Sequence, residues 1–166
     1  MSSIVLIGFM GAGKTTVGKE LVKKGFELID TDAYIEACEK MSISDIFADE
    51  GEEYFRKKET ELIDKIGEMK PCIVSCGGGM AMREINVEKM KKVGQIVWLT
   101  ATPETIYSHV KDSTNRPLLN GNMNVPYIKS LMDERDPKYR HAADIIIETD
   151  DCTPAQVADK ITKKVK

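Results

Sequence analysis

Little in this 166-residue sequence points to a membrane, to nucleic acid or to a disulfide scaffold. No apolar run approaches the ~20 residues needed to cross a bilayer. The net charge of −3, from 24 basic and 27 acidic residues, offers no basic field to gather nucleic acid. An anionic small molecule would instead have to be met by a local cluster of cations. The four cysteines (Cys38, Cys72, Cys76 and Cys152) form no Cys-x-x-Cys pair and are joined by only two histidines, which argues against a structural zinc site. Reduced thiols in a cytosolic compartment are the expectation, with Cys72 and Cys76 as small core residues on a buried strand. The opening Met1-Ser2-Ser3-Ile4-Val5-Leu6-Ile7 lacks a basic n-region and runs straight into glycines, so it does not read as a secretory signal. Repeats, low-complexity tracts and charge blocks are missing too. With 42% hydrophobic residues the chain is an ordinary globular one, of a length for one domain that buries roughly 70% of its unfolded surface. A soluble, cytoplasmic protein with no membrane or nucleic-acid partner is expected.

Short apolar runs alternate with segments of helical period. Residues 4–7 read as a strand buried on both faces. Helix follows over 15–24, stopped by Gly25, and a second strand over 26–29 ends at Asp30. Ser44 is a plausible helix N-cap, and a long helix over about 52–66 places Phe55, Leu62, Ile63 and Ile66 on one side before Pro71. Strands over 72–75, 95–99 and 144–147, a helix over 87–93 and one capped by Thr102 before Pro103 continue the pattern. Residues 115–124 read as a mobile polar loop. The segment 127–139 reads as helix with Pro137 breaking its end, and Pro154 opens the last helix, with lysines at its C-terminal end. The fold class is α/β: a three-layer αβα sandwich around a five-stranded parallel sheet, with ligands at the carboxyl ends of the strands.

The motifs fall at those ends. Gly8-Phe9-Met10-Gly11-Ala12-Gly13-Lys14-Thr15 matches the Gly-x4-Gly-Lys-[Ser/Thr] phosphate loop. Its glycines let backbone N–H groups converge on phosphate oxygens, and the next helix adds its positive end. Lys14 brings a full charge to the β and γ phosphates, and the Thr15 hydroxyl suits Mg²⁺. Gly11, Ala12, Gly13, Lys14, Thr15 and Thr16 are thus the candidate nucleotide contacts. The Asn-Lys-x-Asp motif of guanine-reading switches is missing. Asp30-Thr31-Asp32 closes the second strand with two carboxylates, one suited to a metal and one to an acceptor hydroxyl. Helix capping by the same residues is the competing explanation. Gly77-Gly78-Gly79 removes side chains where a ligand can approach the backbone. Arg56, Arg116 and Arg135 are individually unremarkable surface charges, but together they supply the planar forks that a phosphate and a carboxylate each need.

The ordered set Gly-x-x-Gly-x-Gly-Lys-Thr, Asp-Thr-Asp, Phe-Arg, Gly-Gly-Gly, Arg-Pro-Leu-Leu and Arg-x-Pro-x-Tyr resembles the shikimate kinases over nearly the whole chain. The resemblance implies a P-loop, nucleoside-monophosphate-kinase-like domain over 1–166, with a substrate-binding helical segment at about 32–67 and a mobile lid at about 112–124. It implies transfer of a phosphoryl group from ATP, with Mg²⁺, to the 3-hydroxyl of shikimate in aromatic amino-acid biosynthesis, by a monomer. Lys14, Asp32 and Arg116 would be catalytic, and Thr15 would bind the metal directly and Asp30 through water. Arg56, Arg135 and Gly77, Gly78 and Gly79 would bind shikimate, and Pro154 would border the adenine. One position departs from the family: His109 stands where many relatives carry an adenine-stacking arginine, so an imidazole platform and an ordinary surface histidine are both open. A gluconate or nucleoside-monophosphate kinase and a non-catalytic ATP-binding module are the alternatives, separable by which acceptor releases ADP.

Overall fold

The computed structural model describes residues 2–111 and 124–165. The strands are β1 (Ser3–Ile7), β2 (Leu28–Asp30), β3 (Ile73–Ser75), β4 (Gly94–Thr100) and β5 (Ile145–Glu148). They form one sheet in the order β2-β3-β1-β4-β5, every neighbouring pair parallel. Around it lie α1 (Lys14–Val22), α2 (Thr31–Glu39), α3 (Ile43–Glu50), α4 (Glu52–Gly67), α5 (Glu84–Val93), α6 (Pro103–Val110), α7 (Val125–Ala142) and α8 (Pro154–Lys164). No helix among the described residues is long and apolar enough to cross a membrane.

Alternation along β1 makes the three layers. Val5 and Ile7 point into a core shared with Val74, Ile96, Trp98 and the apolar sides of α3, α4, α5 and α7. Ile4 and Leu6 point the other way, onto Val17 and Leu21 of α1 and Val157 and Ile161 of α8. All five residues of β1 are buried. Each such aliphatic side chain contributes roughly 1.5–3 kcal/mol on burial, which explains an uninterrupted apolar run in place of the alternation seen in half-exposed strands. The sheet runs outward from β1 in both directions, so the exit of β1 is a topological switch point where the strand ends leave a crevice.

Local details correct the sequence reading in three places. The cap of α3 is Ser42, whose hydroxyl accepts from the Asp45 N–H at 3.1 Å, two residues ahead of Ser44. Helix α7 runs through Pro137 to Ala142. Proline removes one backbone hydrogen bond at a cost of about 3 kcal/mol, but Tyr139 and Ala142 are fully buried beyond it, and their packing outweighs that loss. Cys72 and Cys76 flank β3, both buried. The expected lid lies outside the described residues, apart from Asn124, which caps α7 by accepting from the Tyr127 N–H at 2.8 Å.

Candidate active site

The loop between β1 and α1 is shaped by close approach. Gly8 has φ +152°, and a Cβ there would stand 2.6 Å from the Leu99 carbonyl oxygen, so only glycine fits. Lys14, the first residue of α1, is buried, and its ammonium donates to the carbonyls of Gly8 at 2.6 Å and Phe9 at 2.9 Å. A full positive charge therefore sits inside the loop. Next to it, the Thr15 hydroxyl donates to Asp30 Oδ2 at 2.6 Å and lies 3.2 Å from the Ser75 hydroxyl. The other oxygen of Asp30 accepts from the Ala33 N–H at 3.1 Å and caps α2. Capping and proximity to Thr15 thus coexist in one carboxylate. The donors gathered at the ends of β2 and β3 are hydroxyl and carboxylate oxygens, the hard ligands that suit Mg²⁺ when phosphates and water complete its shell.

A cavity of about 910 Å³ opens from this loop. Residues 11–16, Asp30, Asp32, Ser75, Gly77 and Gly78 line its inner part, and Thr105, His109 and residues 149–154 line its outer part, including Pro154. His109 is fixed there by its imidazole Nδ1–H, which donates to the Gly11 carbonyl at 2.6 Å. The carbonyl can only accept, so the proton must sit on Nδ1. Asp150 ties the same helix to the loop after β5, accepting from the Thr105 hydroxyl at 2.8 Å and the Thr102 N–H at 3.2 Å. Those hydrogen bonds hold its pKa below the ordinary value against the opposing effect of burial.

Beside the inner end, the three glycines after β3 each meet a different charged side chain. A Cβ at Gly77 would come 2.5 Å from Asp32 Oδ1 and 3.0 Å from Glu59 Oε2. One at Gly78 would come 3.3 Å from Arg135 Nη1, and one at Gly79 would run into the Arg56 guanidinium. Any other residue in this turn would displace those groups. Arg56 is 13% exposed and held from one side by Glu59 at 2.8 Å and from another by Glu52 at 3.3 Å. Burial works against its charge, but Glu59 and then Glu52 outweigh it, so its pKa moves up and the guanidinium stays ionised. Glu59 has no exposed surface. Burial pushes its carboxyl up to about 7, Arg56 pulls the other way, Asp32 adds to the rise and Arg135 opposes it. Glu59 Oε2 and Arg135 Nη1 have no hydrogen-bond partner among the described residues. Arg135 rests over the Phe9 ring, 5.6 Å from its centroid.

The candidate residues within the described chain therefore lie on the side of the sheet at the carboxyl ends of its strands. Arg116 lies outside the described residues. The sequence assigns no role to Glu59, Ser75, Asp150 or Tyr139, although Tyr139 closes the Arg-x-Pro-x-Tyr motif. Glu59 had a signal: it occupies a slot in the apolar stripe Phe55, Leu62, Ile63 and Ile66, where an acid demands a buried partner.

The family model for shikimate kinase matches residues 10–166. A curated shikimate kinase of Thermodesulfovibrio yellowstonii is 44% identical over 99% of this chain and 95% of its own length. The structure of a shikimate kinase from Acinetobacter baumannii in complex with shikimate superposes with a TM-score of 0.93 at 35% identity, covering 100% of this chain and 96% of that one. A gluconokinase from Sinorhizobium meliloti reaches a TM-score of 0.56 at 16% identity, a likeness of fold alone. On the family match and the full-length identity together, the chain belongs to the shikimate kinase family.

Proposed function

We propose that this protein transfers the γ-phosphoryl group of ATP to the 3-hydroxyl of shikimate, a step of aromatic amino-acid biosynthesis. The observation that carries the reading lies beside the inner end of the cavity, where Arg56, Arg135, Asp32 and Glu59 surround a turn of three glycines next to Gly8 and Met10 of the phosphate loop. Such an end suits a small acceptor with a carboxylate for the arginines and hydroxyls for Asp32. The bound shikimate in the Acinetobacter baumannii relative supports the same choice.

The division of labour follows from position. The loop amides and Lys14 hold the triphosphate, and Arg56 and Arg135 hold the acceptor carboxylate as forked donors. Gly78 offers its backbone, and Asp32 orients the acceptor hydroxyl in line and takes its proton as the new P–O bond forms. Thr15, and Asp30 through water, would hold Mg²⁺, which neutralises charge on the phosphate oxygens when bound. Arg116 stabilises the charge on the group in transfer. Pro154 borders the adenine, and His109 joins that wall through its bond to the loop. Acceptor and donor are brought together by positioning, so most of the acceleration comes from orientation and charge neutralisation. The test is ADP release from Mg²⁺ and ATP with shikimate, gluconate and nucleoside monophosphates in parallel. Saturable release with shikimate alone is expected; release with gluconate or a nucleotide alone would contradict the reading.

A further inference from the structure

The three glycines raise a problem of order, because glycine loses more conformational freedom on folding than any other residue. The turn is tied down at several points. Gly77 N–H donates to the Thr31 hydroxyl at 2.9 Å, Gly77 O accepts from the Met80 N–H at 3.1 Å, and Gly79 O accepts from the Met82 N–H at 3.1 Å. The Gly78 carbonyl is held from elsewhere, by the hydroxyl of Tyr139. Tyr139 is 1% exposed and packs against Trp98 with ring centroids 5.7 Å apart. It stands four residues after Arg135, one helical turn on, so α7 brings both side chains to the same turn. Burial pushes the phenol up to about 12 against the opposing positive charge of Arg135, so the hydroxyl remains a proton donor at any physiological pH. A peptide unit is planar: fixing the Gly78 carbonyl on the α7 side directs the Gly79 N–H to the opposite side.

We propose that Tyr139 is a positioning residue of the acceptor site, its hydroxyl fixing the Gly78 peptide beside the Arg135 guanidinium so that backbone and clamp meet the acceptor carboxylate together. The role rests on the acceptor reading above. It is carried by the hydroxyl and is separate from the packing of the ring, which is what makes it testable. Tyr139→Phe keeps the ring and deletes the tether. Trp98→Phe trims the packing on that ring and keeps the tether.

The experiment is steady-state ADP release for wild type and both variants, varying shikimate and ATP separately, with a melting curve for each. The expected result is a shikimate KM about 10-fold higher in Tyr139→Phe, as for the loss of one buried hydrogen bond, with the ATP KM and kcat within about 2-fold of wild type. Trp98→Phe should melt lower and keep the wild-type shikimate KM. An unchanged shikimate KM in Tyr139→Phe, or an equal rise in Trp98→Phe, would overturn the proposal while leaving the acceptor reading intact. A wild-type protein with no shikimate-dependent release would overturn the acceptor reading and this role with it.

Discussion

The two ends of the cavity are built in different ways. The phosphate end is a contiguous stretch, Gly8 to Thr15, whose working groups are mostly backbone and one ammonium held 2.6 Å from its own loop. The acceptor end is assembled from side chains of α2, α4 and α7 around a turn after β3, and its ion pair joins a buried carboxylate, Glu59, to the part-buried Arg56. A backbone cradle needs only the right conformation, which glycines and a following helix provide locally. A side-chain clamp needs a desolvated framework to hold it, and Glu59 and Tyr139 are that framework. Nucleotide binding should therefore tolerate changes in the core around α4 and α7, and acceptor binding should not.

The largest effects should come from the groups at the point of transfer. Lys14→Ala and Asp32→Asn should each lower kcat by at least about 100-fold with the circular dichroism spectrum unchanged. Full activity in Asp32→Asn would remove the acceptor assignment. Glu59→Gln should then separate framework from chemistry through pH. The Glu59 carboxyl titrates at about 7 in the folded protein against an ordinary 4.5. Its raised pKa means the folded state binds the extra proton, so this contribution to stability is complete below the ordinary value and is lost as pH rises through about 7. The loss amounts to roughly 3 kcal/mol. Wild type should thus lose several degrees more in melting temperature between pH 5 and pH 8 than Glu59→Gln does; parallel curves would show that the carboxyl is not the cause. The smallest effect belongs to Asp30→Ala, which removes the α2 cap at about 1 kcal/mol and should raise the Mg²⁺ concentration needed for half-maximal rate. An unaltered Mg²⁺ requirement would leave Asp30 as a cap alone.

The same contrast explains what could be read from the sequence. The sheet was legible because its strands are short, apolar and regularly spaced, and the phosphate loop because its residues are adjacent in the chain. Arg56 and Arg135 were legible by resemblance only: in isolation each looks like a solvated helix charge, and only the fold brings them to Gly79 and Gly78. Glu59, and the role of the motif residue Tyr139, were not legible because both depend on burial, which is set by what packs over α4 and α7. Pro137 misled for the same reason: local propensity ends the helix there, and the burial of Tyr139 and Ala142 carries it on. Asp30 caps α2 with one oxygen and accepts from Thr15 with the other, so capping does not use up the carboxylate.

The most direct measurement is the pair of Michaelis constants in Arg56→Ala. The account predicts a shikimate KM at least about 10-fold above wild type with the ATP KM within about 2-fold, the loss of one forked charge-assisted contact at one end of the cavity. Equal shifts in both constants would contradict it.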